Sequence, residues 1–276
     1  MAEIFGFDAY SPKQIFQRVE SVGVTKARLP FLSMVTLGVL AGGFIGLGAM
    51  YFTVLTSDPT LCCALSRMIG GLSFSLGLIL VVVAGAELFT GNNLLVMAWA
   101  SKKISTFELL KNWAIIWVTN FGGAFGLALL VVLSHQATLD NGAVGVQAVK
   151  IASAKVSLPF AEAFFRGALC NLLVCLAIWL CMAGRSVTDR ILAIIFPISA
   201  FVAAGFEHSV ANMYFIPLGI LLKSTIDPGV VANTAALNWQ GFLRNIVPVT
   251  LGNILGGAVM VALVYHIVYR PGKEDV

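Results

Sequence analysis

Ala84-Gly85-Ala86-Glu87-Leu88-Phe89-Thr90-Gly91-Asn92 and Ala204-Gly205-Phe206-Glu207-His208-Ser209-Val210-Ala211-Asn212 share the frame Ala-Gly-x-Glu-x-x-x-x-Asn at a constant offset of 120 residues. Each places an acid in the middle of an otherwise apolar run, where ionisable groups are costly and usually functional. The second copy adds His208 beside its acid. Two copies of one interrupted apolar segment point to a path across a membrane.

The rest of the chain fits that setting. Of its 276 residues 59% are hydrophobic and 11% charged, whereas about a quarter are charged in soluble domains. At about 20 apolar residues per crossing, six spans emerge: Leu29 to Leu55, Met68 to Ala100, Asn112 to Ser134, Phe160 to Ala183, Ile191 to Leu222 and Leu243 to Tyr269. The second and fifth are too long for one simple crossing and carry Gly, Glu and polar residues near their centres, so each is expected to be two half-helices joined by a break. Pro197 and Pro217 in the fifth favour a kink or break by removing a backbone donor.

The third and sixth spans echo one another as well, Asn120-Phe121-Gly122-Gly123 against Asn253-Ile254-Leu255-Gly256, in the frame Asn-x-x-Gly at an offset of 133. Three spans followed by three more must invert, because an odd number of crossings flips the starting side. The expected fold is an all-α integral membrane protein, six transmembrane helices in a 3+3 inverted repeat with interrupted second and fifth helices. Its substrate site lies near the midplane. A single channel domain, residues 1–276, then divides into an N-terminal segment 1–28, repeats 29–134 and 160–269, and a tail 270–276.

Sidedness follows from the basic residues. With both termini on one side, that side holds eleven Lys and Arg and the other six, so both termini are expected in the cytoplasm. Residues 1–28 have no apolar h-region or cleavage site, so no signal peptide is expected. A short amphipathic helix is expected near Pro12 to Val22, either interfacial or acting as a gate. The five cysteines show no metal-ligand or disulfide spacing and are read as small apolar residues. No metal, cofactor or nucleic-acid partner is expected. The interior glycines are read as close helix packing, except Gly85, Gly91 and Gly205 beside the breaks.

Of three histidines, His135 and His266 fall near span ends and only His208 is deep. Imidazole, with an ordinary pKa of about 6.5, can share a proton with an anion at small cost. Glu87 and Glu207 occupy equivalent places, an architectural pairing in which they hold backbone donors at the breaks or face a partner in the bundle. Thr90 offers a hydroxyl that reaches His208 if the breaks meet. Asn92 and Asn212 are read as scaffold. Phe74 and Leu78, four apart on one helix face, and Phe201 are candidates to close a pore from one side, Leu88 and Phe89 from the other.

Glu87-Leu88-Phe89-Thr90-Gly91-Asn92-Asn93, the run from Phe165 to Ala177, Gly205-Phe206-Glu207-His208-Ser209-Val210-Ala211-Asn212-Met213 and Pro248-Val249-Thr250-Leu251-Gly252-Asn253 together resemble the formate/nitrite transporter family over the full chain. The resemblance implies a homopentamer of aquaporin-like protomers, each with its own pore. It assigns the central site to His208 and Thr90, supported by Glu207 and Asn253. It further implies an outer constriction of Phe74, Leu78 and Phe201, an inner one of Leu88 and Phe89, and a vestibule with Lys155 and Asn171. Formate is the implied substrate, transported through the cytoplasmic membrane passively or with a proton. Nitrite, hydrosulfide, lactate and acetate are the alternatives, since formate channels often have Asp where this chain has Glu87.

Two other classes fit less well. A water or glycerol pore lacks support because the twin Asn-Pro-Ala motifs of aquaporins are missing: Asn93 follows Asn92 and Met213 follows Asn212. A haem-bearing redox subunit would need two deep histidines. Nothing in the sequence offers a catalytic nucleophile or phosphate loop, so no enzyme is expected.

Overall fold

The computed structural model describes residues 9–227, 229–232 and 234–270. These contain helices, turns and coil but no strand. The outermost parts of the expected N-terminal segment and tail, residues 1–8 and 271–276, lie outside the described residues.

Helix α1, Pro12–Ala27, starts at a capping box in which Ser11 and Gln14 satisfy one another's backbone donors, with Pro12 in the first turn. It runs past the expected end at Val22. Its buried stripe of Ile15, Phe16, Val19 and Gly23 packs inward. Helix α2, Phe31–Leu55, follows Pro30. Helix α3, Cys63–Ile79, continues as a π-helical turn, Leu80–Gly85, into the first break. A 3₁₀ turn, Gly91–Leu95, and the short α4, Val96–Ala100, complete the second span.

Helix α5, Thr106–Leu133, begins at a second capping box, Ser105 with Glu108. Helix α6, Ala143–Val156, and α7, Phe160–Ala183, follow. The expected fifth span divides into α8, Val187–Ala203, and α9, Ser209–Leu222. The sixth is α10, Trp239–Ile254, a π-helical stretch, Leu255–Leu263, and α11, Val264–Tyr269.

Five helical runs are long and apolar enough to cross a membrane: Phe31–Leu55, Cys63–Gly85, Thr106–Leu133, Phe160–Ala183 and Trp239–Tyr269. Three start several residues before the expected bounds: those from Thr106 and Trp239 begin at side-chain caps, Ser105 and Asn238, that carry the helix beyond the apolar core, and that from Cys63 begins without one. The expected fifth span is not among them. Its halves have 17 and 14 residues, about 25 and 21 Å at 1.5 Å per residue, each short of a bilayer's roughly 30 Å core. Helix α6 is an addition to the expected elements: its 14 residues are also too few to cross, and its sequence reads as a loop between spans.

Both breaks need glycine. Gly85 has φ +88° and Gly205 φ +71°, left-handed values that cost a side-chain-bearing residue about 1–2 kcal/mol. The close packing expected of other glycines is also present: a Cβ added at Gly123 would collide with the carbonyl of Val39, and one at Gly256 with that of Ala168.

Candidate functional site

A helix break inside an apolar bundle frees backbone donors and acceptors that water cannot satisfy. At the first break the Phe89 amide donates to Asn120 Oδ1 at 2.9 Å, while Asn120 Nδ2 donates to the carbonyls of Gly38 and Glu87 at 2.8 and 2.9 Å. At the second, the Ser209 amide donates to Asn253 Oδ1 at 2.9 Å, and Asn253 Nδ2 donates to Gly167 O and Glu207 O at 2.8 and 3.0 Å. One buried asparagine from α5 and one from α10 thus hold the breaks.

The two glutamates are tied elsewhere. Glu87 accepts from Lys26 Nζ at 3.0 Å and Asn92 Nδ2 at 2.8 Å, and Asn92 Nδ2 also reaches Asn112 Oδ1 at 2.9 Å. Glu207 accepts from Lys155 Nζ at 2.9 Å and Asn212 Nδ2 at 2.6 Å, and Asn212 Nδ2 reaches Asn245 Oδ1 at 2.7 Å. Asn112 donates to the carbonyl of Lys26 and Asn245 to that of Lys155, at 3.1 and 2.8 Å. Of the two expectations for the glutamates, facing partners in the bundle is the one observed. Holding the break donors falls to Asn120 and Asn253.

The breaks meet at Thr90 and His208, whose Oγ1 and Nε2 are 3.0 Å apart. Both residues are buried. His208 caps α9, its Nδ1 accepting from the Ala211 amide at 3.1 Å. An Nδ1 engaged as acceptor carries no hydrogen, so a neutral ring here bears its proton on Nε2. That proton points at Thr90. Phe201 stacks on the imidazole, with centroids 6.0 Å apart at 20°, and meets Phe74 edge-on at 5.6 Å.

A cavity of about 240 Å³ opens on the histidine side, lined by His208, Phe74, Phe201, Lys155, Glu207 and Arg166 among others. Lys155 also lies 5.4 Å from the centroid of the Phe215 ring. A second cavity of about 320 Å³ is lined by Leu88, Leu78, Glu87 and the α1 residues Val22 and Lys26. Phe74 and Leu78, about 6 Å apart along α3, therefore face different chambers, and the expected trio with Phe201 splits across the wall. Phe89 lines neither chamber and packs edge-on against Trp113 at 6.2 Å. Asn171 lines neither and is fully buried, with its amide on the carbonyls of Thr90 and Asn253 at 3.2 and 2.7 Å.

Sequence reasoning missed two cations as site residues. Arg166 reaches the Gly205 carbonyl at 3.3 Å and pairs with Glu162. Lys26 mirrors Lys155, and a signal existed: Lys26 precedes Gly38 by the same interval as Lys155 precedes Gly167. Among the described residues no group of three or more His, Cys, Asp or Glu side chains could hold a metal ion.

The sequence pattern described as formate/nitrite transporter matches residues 13–267. The chain belongs to the formate/nitrite transporter family. It is 39% identical to the formate channel FocA of Escherichia coli (strain K12), over 95% of each chain, and 39% identical to a probable formate transporter of Methanothermobacter thermautotrophicus, over 94% of this chain and 97% of that one. A solved pentameric formate channel with formate bound aligns with a TM-score of 0.80 at 39% identity, covering 87% of this chain and 97% of that one. This family member is a multi-pass membrane protein of the channel and transporter class, and not an enzyme.

Proposed function

We propose that this protein transports formate, as a small monovalent anion or its acid, across the cytoplasmic membrane through a pore in each protomer of a homopentamer. In this reading the chain is one channel domain, an aquaporin-like 3+3 inverted repeat with both termini cytoplasmic. The matched hydrogen-bond sets at Asn120 and Asn253 support the repeat. The observation that carries the functional reading is the 3.0 Å approach of Thr90 Oγ1 to His208 Nε2 where the two breaks meet.

A bare anion is costly to carry through an apolar constriction. Lys155 and Arg166 draw it into the histidine-side chamber, which this reading places outward, and Phe74 and Phe201 strip its water. Desolvation raises the proton affinity of a carboxylate. The Nε2–H of His208 and the Thr90 hydroxyl, 3.0 Å apart, hydrogen-bond the carboxylate, and the proton that neutralises the permeant is taken up from water in the outward chamber, since loss of the last ring N–H would leave an imidazolate. The permeant then passes as an acid or a proton-sharing pair toward Leu78 and Leu88 and leaves through the second chamber beside Lys26, where α1 is positioned to gate the exit.

Flux of formate, nitrite, acetate, lactate and hydrosulfide into proteoliposomes at several pH values tests this. Formate is expected to be carried fastest, with a rate that depends on pH. A panel in which nitrite or hydrosulfide leads reassigns the substrate, and permeation by water or glycerol alone refutes anion transport.

A further inference from the structure

We propose that Asn171 is a positioning residue whose amide sets the Thr90 hydroxyl against the His208 imidazole, an inference that rests on the transport reading only for its effect on flux. Asn171 Nδ2 lies 3.2 Å from Thr90 O, 3.0 Å from Asn93 Oδ1 and 2.7 Å from Asn253 O. An amide has two hydrogens, so one of them is shared among these acceptors. Asn93 completes the grip by donating its own Nδ2 to the carbonyl of Phe89 at 3.1 Å, and the thiol of Cys175 reaches Thr90 O at 3.4 Å.

The connection runs from one break to the other. Asn253, whose backbone carbonyl Asn171 holds, is the residue whose side chain binds Ser209 N and Glu207 O on either side of His208. Asn171 therefore ties Thr90 in the first break to the support of the second. The side-chain oxygen of Asn171 is buried with no hydrogen-bond partner. It marks a side chain held for its donors, since a buried unpaired acceptor is otherwise selected against.

The halves of the chain supply the control. The residue that precedes Asn171 by the interval separating Gly38 from Gly167 is Gly42, which has no side chain. Asn93 is matched by Met213 at the offset of the two glutamates, and Gly257 by Ala124 at the offset of the two break-holding asparagines. A Cβ on Gly257 would collide with Asn171 Nδ2 and come within 2.8 Å of Cys175 Sγ, so glycine is required only where the clamp sits. A device needed to support any break would recur at the second one. This device accompanies the unmatched pair, Thr90 and His208.

The test is a double-mutant cycle with a second, transport-free readout. Asn171→Leu is expected to lower formate flux about tenfold in the wild-type background and less than about twofold on Thr90→Val, the non-additivity of groups acting as one unit. In ¹⁵N-histidine-labelled protein, with His208 assigned by its loss in His208→Phe, the proton on Nε2 is expected to shift upfield and exchange faster in Asn171→Leu. If Asn171→Leu does not assemble, Gly257→Ala, which displaces the same amide, is read in both assays. Equal fold losses in the two backgrounds, or an unmoved His208 resonance, overturns the assignment. A wild-type protein without anion flux would instead refute the transport reading, and the resonance would still decide the role of Asn171.

Discussion

At the first break Lys26, Glu87, Asn92, Asn112 and Asn120 meet; at the second Lys155, Glu207, Asn212, Asn245 and Asn253 meet in a matching pattern of donors and acceptors, except that Lys26 Nζ also donates to Asn92 Oδ1 at 3.0 Å while Asn212 Oδ1 has no partner. Between the matched residues the side chains differ. Leu88, Phe89 and Thr90 stand opposite His208, Ser209 and Val210. The shared residues solve a problem common to both breaks, namely freed backbone groups and a buried carboxylate in an apolar bundle. The unmatched ones put a hydroxyl from one break against an imidazole from the other, which two identical halves could not provide.

The comparison predicts paired outcomes. Asn120→Leu and Asn253→Leu should each destabilise the protein by about 3 kcal/mol or more, because each orphans one amide and two carbonyls at a cost of roughly 1–3 kcal/mol per buried group. Thermal unfolding in detergent measures both. A loss confined to one variant would break the equivalence of the two supports.

Smaller and unequal effects are expected at the lysines. The Lys155 and Lys26 side chains are 14% and 27% exposed, and Glu207 and Glu87 are 5% and 7% exposed. Lys155→Met leaves the better-buried carboxylate uncompensated and should cost about 2 kcal/mol, against about 1 kcal/mol for Lys26→Met, since solvent screens the more exposed pair. The same unfolding assay ranks them, and the reverse order would show that burial does not set the difference. Comparable with Lys26→Met are Gly85→Ala and Gly205→Ala, about 1–2 kcal/mol each from left-handed backbone strain. Their steric cost is slight, since no heavy atom lies closer than 4.0 Å to the place an added methyl would take at either glycine.

What lies in a short frame is legible in the sequence. The Ala-Gly-x-Glu-x-x-x-x-Asn copies locate both breaks, and the Asn-x-x-Gly copies locate Asn120 and Asn253, because each motif keeps its spacing within one local stretch of chain. Glu87 and Glu207 read as equivalent, but which donors they hold depends on neighbours from other helices. The pairing of Lys26 with Lys155 is hidden, because they lie on α1 and α6, helices of different composition outside the expected repeats. The contact of Thr90 with His208 joins residues 118 apart and is expected only on condition that the breaks meet. Asn171 is assigned to a vestibule by resemblance, which carries a residue's position along the chain but not the three acceptors its amide finds.

In the proposed mechanism the unmatched residue His208 shares its proton with the permeating anion. Formate uptake into proteoliposomes, measured across pH for wild type and for His208→Phe, tests it most directly. The variant is expected to lose roughly two orders of magnitude in rate and its pH dependence with it. Uptake by His208→Phe at the wild-type rate and with the wild-type pH profile would contradict it.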